Sequence, residues 1–208
     1  MSSPTGSTPA HTEATMLADR FAPRYDVIQA EHLIVNAEPA QAYAATRELD
    51  FTDIRRPLVT AAMWVRALPQ RWRQRKQGPP RQPSRMTFDD MATGSDWVIL
   101  GERPGCEIAA GVTGRFWRPV VQWRHVDAEA FTEFDEPGYG KIVMSLSVHP
   151  YGAARSLASY DIRVILNDTL SRTAFGLYWK TVSPFVRAIQ KATLDTIKAH
   201  AEHPAKQG

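Results

Sequence analysis

The end of the chain limits its possible folds more than any other part. Asn167 or Asp168 can accept hydrogen bonds from the free N–H groups of a first helical turn. From there to about Glu202, Leu170, Ala174, Leu177, Tyr178, Phe185, Ile189, Ala192, Ile197 and Ala201 recur at helical spacing. At 1.5 Å per residue such a helix runs about 50 Å. Pro184 has no backbone N–H to donate, so a kink or break is expected near Ser183. A helix this long and one-sided needs a broad apolar surface to lie on.

The preceding sequence supplies that surface as strands. Tyr25 to Asn36 alternates and reads as a strand, and Glu38-Pro39 opens a helix that Ala40 to Leu49 continues. A second, more apolar helix is expected over Pro57 to Leu68, followed by an exposed proline-rich loop from Pro69 to Ser84. The period then changes. Met86 to Met91, Trp97 to Glu102, Ile108 to Arg115, Lys141 to His149 and Ser156 to Val164 read as strands, with a further one at Val120 to His125. Asp127 to Phe134 reads as a short helix or ordered loop. This order gives an α+β domain over residues 23–202: a curved antiparallel sheet wrapped around the terminal helix, with two short helices after the first strand. Residues 1–22 are expected to be a disordered tail, with a turn of helix at Met16 to Phe21, and 203–208 a short C-terminal tail. A wide sheet around one helix leaves a gap, and a gap of that kind is a ready ligand cavity.

Charge needs care. The chain of 208 residues is net +3 with a pI near 9.1, which invites a nucleic-acid reading. Seven of the basic residues, Arg66, Arg71, Arg73, Arg75, Lys76, Arg81 and Arg85, fall in one acid-free stretch. The remainder has 18 basic against 22 acidic residues, a net of −4. The body is mildly acidic and carries one basic insert at 69–85. Within it Arg71, Trp72, Arg73, Arg75 and Lys76 mix cations with an aromatic ring, which suits anionic lipid headgroups better than a nucleic-acid partner in this setting. The plain alternative is a solvated loop.

One cysteine, Cys106, excludes an internal disulfide and a thiolate-rich zinc site. No apolar run approaches 18 residues, and the N-terminal stretch has no apolar core of a signal peptide, so a cytoplasmic protein is expected. The six histidines lack ligand spacing except for His200 and His203 near the end of the chain, so neither a metal nor another cofactor is expected.

Three stretches carry a resemblance. They are Trp97 to Ile108 continuing through Gly111-Val-Thr-Gly114 to Trp117; Phe131, Phe134, Pro137-Gly138 and Lys141; and Arg163, Asp168, Arg172, Phe175, Tyr178-Trp179, Pro184, Leu194 and Ala201-Glu202. Over roughly Tyr25 to Glu202 the chain resembles the SRPBCC superfamily, the helix-grip proteins that include START lipid-transfer domains and aromatic polyketide cyclases. The resemblance implies a hydrophobic small molecule, lipid- or polyketide-like, held between the sheet and the last helix. Only some such proteins are enzymes, and no catalytic residues carry over.

The residues themselves offer several candidates. Trp97, Trp117, Tyr178 and Trp179 supply aromatic surface for a core or a pocket wall. In Lys141 to His149, Val143, Ser145, Ser147 and His149 share one strand face. If that face lines a cavity, Ser145 and Ser147 leave room for ligand and His149 can move a proton; otherwise the face is solvated. Asp161 and Arg163 also share a face, and the apolar run of Ala158, Tyr160, Ile162 and Val164 assigns them to the outside. Buried in the cavity, His149, Asp161 and Arg163 would be the acid/base groups of a cyclase or dehydratase. Gly111 and Gly114 read as bends of a curved sheet rather than a nucleotide loop, and Asp89-Asp90 as solvated acids.

Overall fold

Alternation along the central strands sets the architecture. The computed structural model describes residues 15–54, 86–94 and 96–203. The expected helix at Pro57 to Leu68 and the basic insert, with Arg71, Trp72, Arg73, Arg75 and Lys76, lie outside the described residues.

The elements are α1 (Leu17–Phe21), β1 (Val27–Val35), α2 (Pro39–Arg47), a 3-10 turn (Phe51–Asp53), α3 (Phe88–Gly94), β2 (Val98–Arg103), β3 (Glu107–Arg115), β4 (Gln122–Trp123), α4 (Ala128–Phe131), β5 (Gly140–Pro150), β6 (Ser156–Leu166) and α5 (Thr169–Glu202). The chain is α+β: a six-stranded, fully antiparallel open sheet in the order β1-β6-β5-β3-β2, with β4 on β3, and the long α5 packed against it.

On the inner face, Ile108 lies opposite Leu146, and Leu146 opposite Tyr160. With Met144, Val148 and Ala158 they meet Leu194, Ile197 and Ala201 of α5 and Ala42, Tyr43 and Leu49 of the α2 region. Burying each Leu or Ile here stabilises the fold by about 1.5–3 kcal/mol. Asp168 caps α5 by accepting from Ser171 N at 2.8 Å.

Four expectations change. Residues 86–91 are not a strand: Thr87 and Asp90 form a capping box, in which Asp90 Oδ2 accepts from Thr87 N at 2.8 Å and Thr87 Oγ1 accepts from Asp90 N at 3.3 Å. That motif starts helix α3, whose Phe88 and Met91 enter the core. The strand at 120–125 shrinks to Gln122–Trp123. Helix α5 runs unbroken through Pro184; Pro184 and Lys180 are both exposed, so the carbonyl that loses its partner lies on the water side. Residues 17–22, expected within a disordered tail, are packed instead. Leu17, Ala18, Phe21 and Ala22 are buried on the outer face of the sheet.

Candidate functional site

Helix α5 grips the sheet at both ends and loosely between. Its sheet-facing row is Phe175, Trp179, Val182, Val186, Gln190, Thr193 and Ile197, spaced three or four apart. Phe175 at one end and Gln190, Thr193 and Ile197 at the other are buried, while Trp179, Val182 and Val186 are half-buried. From Gly176 to Ile189 no side chain of the helix is buried. The sheet mirrors this, since Val27, Ile142 and Ile162 are also only half-buried.

The two ends of this stretch are built differently. Near the start of α5, Phe116, Trp117, Phe175, Tyr178 and Trp179 form an aromatic cluster. Phe175 stacks on Trp179 at 5.5 Å between ring centroids, and Phe116 meets Trp117 edge-on at 5.3 Å. At the other end a buried amide pair bolts helix to sheet. Gln29 Nε2 donates to Gln190 Oε1 at 3.0 Å, and Gln190 Nε2 donates to the carbonyls of Gln29 at 2.9 Å and Tyr160 at 3.0 Å. Gln29 Nε2 also reaches Ser183 O at 3.4 Å. Burial pushes the Tyr160 phenol above its ordinary value, and its hydroxyl points at Met144 Sδ, 2.9 Å away.

A polar cluster stands by β2. Tyr43 donates to Glu102 Oε1 at 2.6 Å, and Arg47 bridges Glu102 at 3.3 Å and Asp89 at 2.6 Å. Burial, then the Glu102 carboxylate, raise the Tyr43 phenol well above its usual range. Asp89 and Asp90 are both exposed, as expected of solvated acids, and in addition Asp89 pairs with Arg47 and Asp90 completes the capping box of α3.

Of the aromatic candidates, Trp117, Tyr178 and Trp179 come together between the start of α5 and the sheet, and Trp97 packs half-buried on the inner core. The remaining candidates point the other way. Because Met144 and Leu146 face α5, Ser145, Ser147 and His149 face outward, and Asp161 and Arg163 do so beside Tyr160 and Ile162. None of these five faces α5, so His149, Asp161 and Arg163 are not placed to act as acid/base groups between helix and sheet.

Over β3 and β5 the outer face is nonetheless covered. Small residues there, Gly101, Ala109, Gly111, Ser145 and Ser147, leave room that α1 and α4 fill. Glu107, fully buried, accepts from Leu17 N at 2.8 Å, Ala18 N at 3.4 Å, Ser145 Oγ at 2.6 Å and Arg103 Nη2 at 2.5 Å. Arg163 holds the far end of the segment, donating to Ala22 O at 3.0 Å, pairing with Asp19 at 2.7 Å and Asp161 at 3.2 Å, and lying over the Tyr25 ring. Burial raises the Asp161 carboxyl pKa, with Arg163 opposing. Ser147 lies opposite Ser159, and Ser159 opposite His32, whose Nδ1 is 2.8 Å from the Ser159 hydroxyl. His149 sits half-buried at the end of its strand. Gly111 also permits a close approach: a Cβ there would lie 2.6 Å from the Phe131 ring.

Sequence reasoning missed Glu107. Its signal was a face of small residues on β3 and β5, which calls for a covering segment as readily as for a ligand. Among the described residues no group of three His, Cys, Asp or Glu side chains converges as a metal site, and no helix is long and apolar enough to cross a membrane.

No family model and no curated protein matches the chain. Among solved structures, a hypothetical protein from Helicobacter pylori is similar with a TM-score of 0.43 and 11% identity, over 95% of this chain and 99% of that one. A likeness at that level carries no argument.

Proposed function

We propose that the chain binds a hydrophobic small molecule, lipid- or polyketide-like, between the inner face of the sheet and the middle of α5, in the manner of the helix-grip proteins it resembles. The observation that supports this is the row Trp179, Val182 and Val186, apolar and half-buried between fully buried ends, facing half-buried Val27, Ile142 and Ile162. Apolar surface left open on both walls of a protein layer is filled at a gain of roughly 25 cal/mol per Å² by whatever apolar ligand fits. The buried Gln29–Gln190 pair bounds this stretch at its C-terminal end. The reading is of a binder rather than an enzyme, because the acid/base candidates face away from the gap.

The test is displacement of a lipophilic fluorescent probe by fatty acids and polycyclic aromatics, with native mass spectrometry of the purified protein for a retained small molecule. Val182→Trp and Val186→Trp, which fill the gap, should each abolish probe binding and leave the melting temperature level or higher. Unchanged probe binding, or the 1–3 kcal/mol loss that overpacking of a closed core costs, would refute the reading.

A further inference from the structure

We propose that the solvent-facing side of α5 docks flat on an anionic lipid surface. The inference rests on the lipophilic-ligand reading above and names where such a ligand would change hands.

Leu170 is 80% exposed, Leu177 75% and Phe185 38%. Two of these belong to a row of Leu170, Ala174, Leu177, Thr181, Pro184 and Ala188, spaced four and three alternately, with Phe185 beside it. The row therefore stays on one side of the helix for about 27 Å and contains no charge. The flank opposite Phe185 is charged, and with one sign. From Thr169 to Leu194 the helix carries Arg172, Lys180, Arg187 and Lys191 and no acid, although the chain outside the basic insert is net −4. Asp26 pairs with Arg172, and Glu31 with both Arg187 and Lys191, so four cations meet two carboxylates and this face keeps a positive surplus.

The shape of the face selects among occupants. Large side chains that project from a convex helix face need a partner that yields to them. A second copy laid along the same row would bring one basic flank against another. An anionic bilayer meets both conditions: its headgroup region admits the leucines and phenylalanine, and its charge complements Lys180 and its neighbours. Tyr178 and Phe185 lie between this row and the gap, so a ligand can pass from lipid to protein along an apolar edge.

The experiment is flotation of the full-length protein with vesicles of phosphatidylcholine alone or mixed with phosphatidylglycerol, at low and high salt, alongside probe binding without vesicles. Flotation is expected with the anionic vesicles only, weakening with salt. Leu170→Asp and Leu177→Asp should each reduce it about tenfold or more, as loss of a buried leucine implies. Lys180→Glu should reduce it less, and all three should keep wild-type probe binding. Probe binding without flotation overturns the docking and leaves the gap reading intact; flotation without probe binding does the reverse. Variants that float like the wild type, or a dimer that Leu177→Asp dissociates with no effect on flotation, also overturn it.

Discussion

Replacing Glu107 with alanine tests the outer face most directly. The carboxylate is fully buried and accepts from two backbone amides of α1, from Ser145 and from Arg103. Removing one member of a buried ion pair costs about 3–5 kcal/mol, because the partner is left charged without compensation. Burial of Leu17 and Phe21, the apolar anchors of the same segment, contributes roughly 3–6 kcal/mol. The two are comparable, so the N-terminal segment should come away locally while the sheet stays folded. In a chain of this length the loss lowers Tm by about 6–20 °C. Hydrogen exchange is the decisive assay: the Leu17 and Ala18 amides should lose most of their protection while those of β5 keep theirs. Glu107→Gln, which retains an acceptor, should fall between, and Arg103→Met added to Glu107→Ala should recover part of the loss. A Tm change under about 2 °C, or equal deprotection of α1 and β5, would refute the reasoning.

Two further outcomes follow from the geometry. Gly111→Ala places a methyl group 2.6 Å from the Phe131 ring and 2.8 Å from Leu100. It should destabilise by about 1–3 kcal/mol in chemical denaturation, and Phe131→Leu in the same chain should relieve part of that; a neutral Gly111→Ala would contradict the packing. Asp168 is held down to about 2 by the Ser171 hydroxyl, the Ser171 amide and the Gly138 amide. A carboxyl lowered on folding adds stability that is complete above its ordinary value near 4 and is lost as pH falls toward 2. The Tm gap between wild type and Asp168→Asn should therefore narrow over that window, and a gap independent of pH would sink the assignment.

The fold was legible where one periodicity ruled. Ser156–Leu166 and Val27–Val35 read as strands from their alternation, Glu107–Arg115 and Gly140–Pro150 as strands buried nearly throughout, and the Asn167-Asp168 pair marks the start of α5. Residues 86–91 misled because Met86, Phe88 and Met91 fit a short strand as well as a helix turn, and only the Thr87–Asp90 capping pair separates the two. The rings of Trp117, Tyr178 and Trp179 cluster because bulky apolar groups on a core-facing helix end have few other places to go. Ser145, Ser147 and His149 were assigned to a possible cavity because small residues announce space without saying what fills it. The occupant, α1, lies about 90 residues upstream of Glu107, and local pattern holds no record of such a distant partner.

The Gln29–Gln190 pair has a mechanical consequence. Three hydrogen bonds join one point of α5 to two neighbouring strands, so sliding the helix along the sheet by a turn would strand buried amides and carbonyls together, at about 1–3 kcal/mol for each orphaned group. The start of the helix is tied as well: Phe175 is buried, Asp168 accepts from Gly138 N at 2.6 Å and Arg172 pairs with Asp26 at 2.8 Å. A helix held at both ends can only bow, so any widening falls between Trp179 and Val186 and closes again at Gln190, and a guest there lies along the helix rather than entering past a free tip.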